Sequence, residues 1–245
     1  MNKKPALITA FLFLASFLVA AQSSPSEGPV DTNAMTAETQ QIDQHNNKMG
    51  LFWWLPVEYW EQSAIETGTN PEEARKQFAP LREYTMFVVG VGDLRVGTIR
   101  WLPEDDVRGS VVLRDQSGNT YKPVDKVSVE AQAISDILKP VFKNILGPMA
   151  EGLHVVYFPT KDSAGHEFAN PRRHAEFSLL VANLMGPATS TYTWRLPLTS
   201  MLPPKFCPVG KEKVNANWKY CPWHGNKLDA DATPVPAPTP TPSKH

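Results

Sequence analysis

The residues best equipped for chemistry stand near the end of the chain. Both cysteines of the sequence, Cys207 and Cys221, sit in short half-motifs of similar form. One is Phe206-Cys207-Pro208-Val209-Gly210, and the other is Tyr220-Cys221-Pro222-Trp223-His224-Gly225. Thiolates and imidazole suit zinc, and thiols also pair with one another by oxidation. Elsewhere the spacings argue against catalysis. In Gly90-Val91-Gly92-Asp93-Leu94-Arg95-Val96-Gly97, Arg95 stands where a dinucleotide-binding turn needs its third glycine, and strand formers follow, so the segment reads as a hairpin turn. His166-Glu167 lacks the later histidine of a zinc-protease helix. His154, His166 and His174 are scattered over expected strands and loops, as ordinary surface or core residues are. Glu104-Asp105-Asp106 lacks the alternation and turn glycine of a calcium site and reads as an acidic loop. There is no Gly-x-Ser-x-Gly elbow, and no motif sets two carboxylates as acid and base.

The two half-motifs together resemble the knuckles of a zinc ribbon, over residues 205–228. In that family each knuckle is Cys-Pro-x-Cys-Gly, so two thiolates converge on one tetrahedral metal while Gly permits the turn and Pro stiffens it. The first knuckle lacks its second thiolate here, and the second has His224 in place of a cysteine. The resemblance implies Cys207, Cys221 and His224 as metal ligands, zinc as cofactor, and water, Glu212 or a sandwich histidine as fourth ligand. It also implies facing thiols. In an exported chain that favours a Cys207–Cys221 disulfide, worth about 3 kcal/mol in the chain-entropy model. The disulfide is the expected state and zinc the alternative. A hydrolytic zinc with Glu212 as base is disfavoured, because so short a hairpin offers no water-excluding pocket.

Export is read from the other end. Lys3 and Lys4 precede an apolar run from Ala6 to Ala21 that closes on Val19-Ala20-Ala21, the form of a signal peptide over 1–21 with cleavage before Gln22. The run is shorter than the roughly 20 residues of a membrane span, and no later run is long enough. Cleavage removes Lys3 and Lys4 and no acid, moving the formal net charge from -1 to -3. A mildly acidic chain gives no argument for nucleic acid or anionic lipid, and Arg172-Arg173 reads as an isolated turn pair. The expected setting is periplasmic or extracellular, with an unknown envelope or surface partner and no nucleic acid.

Between these ends the expected order is a disordered polar leader (22–47), an aromatic helical segment (48–82), a β-sandwich (83–200), the hairpin (201–228) and a disordered Pro-rich tail (229–245). Pro56 can open a helix, and Asn70-Pro71-Glu72-Glu73 starts another that stops by Pro80. Strands are expected at Tyr84–Val91, ending in Gly92-Asp93, and at Arg95–Trp101. Further strands are Ser110–Arg114 and Thr120–Val124 about a turn at 115–119, then Leu153–Phe158, Glu176–Ala182 and Tyr192–Leu196. A helix through Ile134, Ile137, Leu138, Val141, Phe142 and Ile145 interrupts them, kinking at Pro140 or beginning just before it. Val112, Val156, Phe158 and Leu180 are expected to face inward.

The sequence Val-Leu-Arg-Asp with Gly-Asn-Thr-Tyr, a helical excursion and Val-Val-Tyr-Phe-Pro resembles immunoglobulin-like sandwich modules of exported bacterial proteins. The whole resembles uncharacterised exported bacterial proteins with such a sandwich and a C-terminal zinc-ribbon-like hairpin. The expected fold is therefore mainly β: an immunoglobulin-like antiparallel sandwich with a few helices. The expected function is a non-catalytic envelope module for binding or support. The alternative is a zinc-binding protein or zinc-dependent hydrolase using Cys207, Cys221 and His224.

Overall fold

The computed structural model describes residues 30–228. The expected signal peptide, the start of the expected polar leader and the Pro-rich tail lie outside the described residues. In chain order the elements are α1 (Thr32–Thr39), β1 (Gln40–His45), β2 (Lys48–Leu55), α2 (Val57–Glu66), α3 (Pro71–Phe78) and a 3-10 turn (Ala79–Glu83). There follow β3 (Tyr84–Arg95), β4 (Thr98–Trp101), α4 (Glu104–Ser110), β5 (Val111–Asp115), β6 (Thr120–Tyr121) and α5 (Val129–Leu146). The last are β7 (His154–Pro159), β8 (Ala175–Val181), β9 (Ser190–Leu196), β10 (Lys205–Phe206) and β11 (Lys213–Val214).

Two larger sheets, antiparallel throughout, make the body mainly β. One runs β1-β2-β3-β4 with β7 also on β3, and the other runs β6-β5-β8-β9. Their facing sides share a core: Phe52, Trp54, Phe87, Val156 and Phe158 from the first meet Leu113, Phe177, Leu179 and Trp194 from the second. The opposite side of the first sheet is buried too. Trp53, Leu55, Met86, Val88 and Tyr157 pack there against Trp60 of α2, Phe78 of α3 and Leu138 and Phe142 of α5. The first sheet is thus the middle of three layers.

That middle position corrects the reading of 48–55 as helical. Leu51-Phe52-Trp53-Trp54-Leu55 is a strand whose residues alternate between two dry faces, so its apolar run is continuous and shows no alternation. The polar leader is corrected from residue 31 onward. Asp31 caps α1 by accepting from the backbone N–H of Asn33 and Ala34, both at 3.0 Å. β1 then pairs with β2. The polar side chains here act as cross-links. The Glu38 carboxylate accepts from the backbone N–H groups of Thr199 (2.8 Å) and Ser200 (3.0 Å), and Tyr192 donates to Asp43 at 2.7 Å. Trp194 Nε1 donates to the Thr39 carbonyl at 2.8 Å. The start of the described chain is thereby clasped to its far end.

Three local readings also shift. The turn after β3 falls at Val96-Gly97, with Gly97 at φ +77°, and β3 runs straight through Gly92-Asp93. Glycine is needed at 90 and 92 for space: a Cβ there would lie 2.4 Å from Leu153 Cδ2 and 2.6 Å from Ile99 Cγ2. The acidic loop is the first turn of α4, where the three carboxylates face the positive end of the helix. Val156 and Phe158 face inward as expected, but Val112 and Leu180 pair with each other on the outer side, and Val111, Leu113, Leu179 and Val181 fill the core. The opposite register would bury Arg114 and Glu176, so charge sets it. α5 begins well before Pro140 and continues through it, and Gly147 ends it at φ +58°. Asn70 caps α3 as expected, accepting from Glu72 N–H at 2.9 Å.

Candidate metal centre

Two turns of the same form build the C-terminal site. Cys207 N–H donates to the Glu212 carbonyl at 2.9 Å, and Cys221 N–H to the Asn226 carbonyl at 2.8 Å. Four residues past each cysteine, Lys211 and Gly225 donate back to the cysteine carbonyls at 2.9 and 2.8 Å. Both adopt left-handed backbone, at φ +62° and +68°. Proline follows each cysteine and stiffens the turn. The short β10–β11 ladder closes the first turn, and a Tyr220–Lys227 bridge closes the second in the same way. Asn217 ties the hairpin to the sandwich, donating to the Pro197 carbonyl at 3.2 Å and to Thr199 Oγ1 at 3.0 Å.

The turns aim four side chains at one point. Donor atoms of Cys207, Glu212, Cys221 and His224 all lie within 4.8 Å of one another. His224 Nδ1 is 3.3 Å from Cys207 Sγ, 3.5 Å from Cys221 Sγ and 3.6 Å from Glu212 Oε1. Cys221 Sγ is 3.8 Å from Glu212 Oε1. A tetrahedron of sulfur, nitrogen and oxygen around zinc has edges of about 3.3–3.8 Å, from its bond lengths. The Gly210 N–H also points at Cys207 Sγ, at 3.4 Å.

The disulfide expectation is corrected: Cys207 and Cys221 are both buried free thiols. The imidazole and carboxylate lie among them, and the sulfurs face that common centre without bonding to each other. Cys207, Cys221 and His224 are brought together as the knuckle pattern implied. Of the candidates for a fourth donor, Glu212 is the one in place, and no sandwich histidine joins the cluster. The reason lies at Gly210, which occupies the ligand position of the first turn. A Cβ on Gly210 would fall 1.9 Å from Glu212 Oε2. The carboxylate fills the space that a side chain at 210 would need. The sequence signal was a glycine at the ligand position with an acid two residues on.

The other histidines have local roles. His154 bonds the Leu102 carbonyl at 2.9 Å, and His166 lies 3.3 Å from Asp162. His174 is exposed. Arg172 donates to the Met201 carbonyl at 3.1 Å, joining the sandwich to the lead-in of the hairpin.

Two cavities lie away from the hairpin. The larger, about 1110 Å³, opens between α4, α5 and β7 beside Ser135, Tyr157 and His154. Ser135 and Tyr157 hydroxyls bond at its floor, and burial pushes the Tyr157 phenol up from its ordinary value. The smaller, about 520 Å³, is lined by Glu58, Glu61, Arg75, Arg82 and Arg172. Burial raises the Glu58 carboxyl there, against the pull of its own backbone N–H and Arg82, while Arg82 is paired with Glu61. Sequence reasoning missed this group, although Glu58 and Glu61 share a helix face at spacing i, i+3.

No protein-family model matches the sequence, and no curated protein matches it. Among solved structures, a DUF4426 family protein from Pseudomonas aeruginosa PAO1 matches at 12% identity and a TM-score of 0.24, over 64% of this chain and 93% of that one.

Proposed function

We propose that this chain is an exported, non-catalytic binding or support module of a cell envelope, with its C-terminal hairpin held by a structural zinc ion on Cys207, Glu212, Cys221 and His224. The observation that carries the metal reading is the Glu212 carboxylate in the space vacated at Gly210, which completes four donors about one centre. Two thiolates, an imidazole and a carboxylate form a closed tetrahedral set. Such a set leaves no position for an activated water, and neither large cavity is lined by hairpin residues. Both points favour a structural ion over a hydrolytic one. The two packed antiparallel sheets support placing residues 83–200 among immunoglobulin-like sandwich modules, with β1 and β2 added beside β3 as an extra edge. The basic start and apolar run support export, and among the described residues no helix is long and apolar enough to cross a membrane.

The metal reading is tested by purifying the mature chain under reducing conditions and measuring metal by mass spectrometry. Stoichiometric zinc is expected, and the cobalt-substituted protein should show tetrahedral ligand-field bands with thiolate charge transfer. Glu212→Ala should shift those bands and weaken zinc binding beyond the roughly 10–100-fold that losing an outer-shell partner costs. A chain that takes up neither metal refutes the reading. Export is tested separately, by an intact mass beginning near Gln22 in the extracytoplasmic fraction.

A further inference from the structure

We infer that the outer face of the hairpin is a docking surface for an anionic phospholipid membrane. Among the described residues, every exposed aromatic side chain is on this hairpin: Trp218 (37%), Tyr220 (61%) and Trp223 (65%). Trp218 stands edge-on to Trp223 with ring centroids 5.7 Å apart. Val209 is also exposed, and it holds the same place in the first turn as Trp223 in the second, directly after the proline. Each turn therefore carries an apolar residue at its tip.

The charge of this region is opposite to that of the whole chain. Residues 201–228 contain five lysines and one acid, Glu212, while the full sequence has a formal net charge of -1. The single acid turns inward to the thiols and His224. Lys211, Lys213 and Lys219 are exposed, and among the described residues none of them is in an ion pair. The near-neutral total hides a basic hairpin on an acidic body.

Shape selects the occupant. Neither large cavity reaches residues 201–228, and the aromatic residues protrude. A folded protein partner would have to supply pockets to receive them. A bilayer interface takes protruding indole and phenol rings at headgroup level without a preformed pocket. Lysines beside the rings add attraction to anionic headgroups that falls off within a Debye length.

The test is flotation of the mature full chain, with and without added zinc, with vesicles of phosphatidylcholine alone or mixed with phosphatidylglycerol. Binding is expected only to the mixed vesicles and should be lost at high salt. Lys211→Gln, Lys213→Gln and Lys219→Gln should each weaken it by about fivefold. Trp223→Ala should weaken binding to the mixed vesicles while zinc content stays at wild type, so this surface and the metal reading fail or stand separately. Overturning results are protein that floats with mixed vesicles neither with nor without zinc, equal binding to both vesicle types, or variants that bind like wild type. Preference for single-stranded oligonucleotide or polyglutamate over the mixed vesicles would also overturn it.

Discussion

Trp54 and Trp223 put the same side chain to opposite uses. Trp54 is 1% exposed and meets the Phe177 ring edge-on at 4.9 Å, between two sheets that supply each other's cover. Trp223 is 65% exposed on a segment whose buried apolar cluster is Cys207, Val214, Cys221 and Leu228. The sandwich is held by area removed from water. A cluster of four residues cannot offset the ordering cost of its loops in that way, so on the proposed reading the hairpin relies on a metal ion at the point where its donor atoms converge. The difference teaches that the two parts should fail independently.

Trp54→Ala should produce the largest loss of stability, about 3–5 kcal/mol, read from urea unfolding by circular dichroism. A loss under about 1 kcal/mol would break the claim that the sandwich lives on its shared core. Cys221→Ser should abolish stoichiometric zinc while leaving the sandwich midpoint within about 0.5 kcal/mol, and hydrogen exchange should rise only in residues 205–228. Global unfolding in that variant would show the two regions to be one cooperative unit. Gly90→Ala should cost the sandwich about 1–3 kcal/mol in the same urea assay, because its Cβ would meet Leu153 Cδ2 at 2.4 Å. Gly210→Cys is the sharpening counterpart. The new side chain must push the flexible Glu212 carboxylate aside and offers a third thiolate, so zinc affinity measured by chelator competition should rise.

The smallest effect concerns pH. Hydrogen bonds from Lys48 and then Arg100 hold the Asp93 carboxyl near about 2, at 2.7 Å each. Its folded pKa lies below its unfolded value of about 3.9, so its contribution is complete above that value and is lost as pH falls toward 2. Asp93→Asn should flatten this part of the acid-unfolding curve, measured by circular dichroism. Because Asp93 sits half-buried at the surface and its partner Arg100 is largely solvated, the change is expected to be slight.

Sequence made some of this legible and hid the rest for identifiable reasons. From Tyr84 onward most strands follow their β-rich runs, and both Cys-Pro turns form where their spacing places them. β2 was hidden because both its faces are dry, which erases the period-two pattern. α1 and β1 were hidden because the partners that order them, Trp194 and Thr199 among them, lie far along the chain. The registers of β5 and β8 were readable from the parity of Arg114 and Glu176, which had to point outward. At the hairpin, residue types gave three donors, but the fourth and the free state of the thiols needed the space around Gly210. The charge of the hairpin was lost in a whole-chain sum.

The clasp between the first and last parts of the body bears on how the protein is made. Glu38 is held by Thr199 and Ser200, and Thr39 by Trp194, across sequence separations of 155 to 162 residues. Strands β1, β2 and β3 can pair with one another as soon as they leave the ribosome or translocon. The inner side of that meander, with Phe52, Trp54 and Phe87, stays uncovered until β8 and β9 arrive. Long-range closure of this kind is slow, and a pre-formed sheet with one bare apolar side is prone to self-association. Newly made chains therefore pass through an interval in which a chaperone that shields extended apolar surface would raise the yield of folded protein.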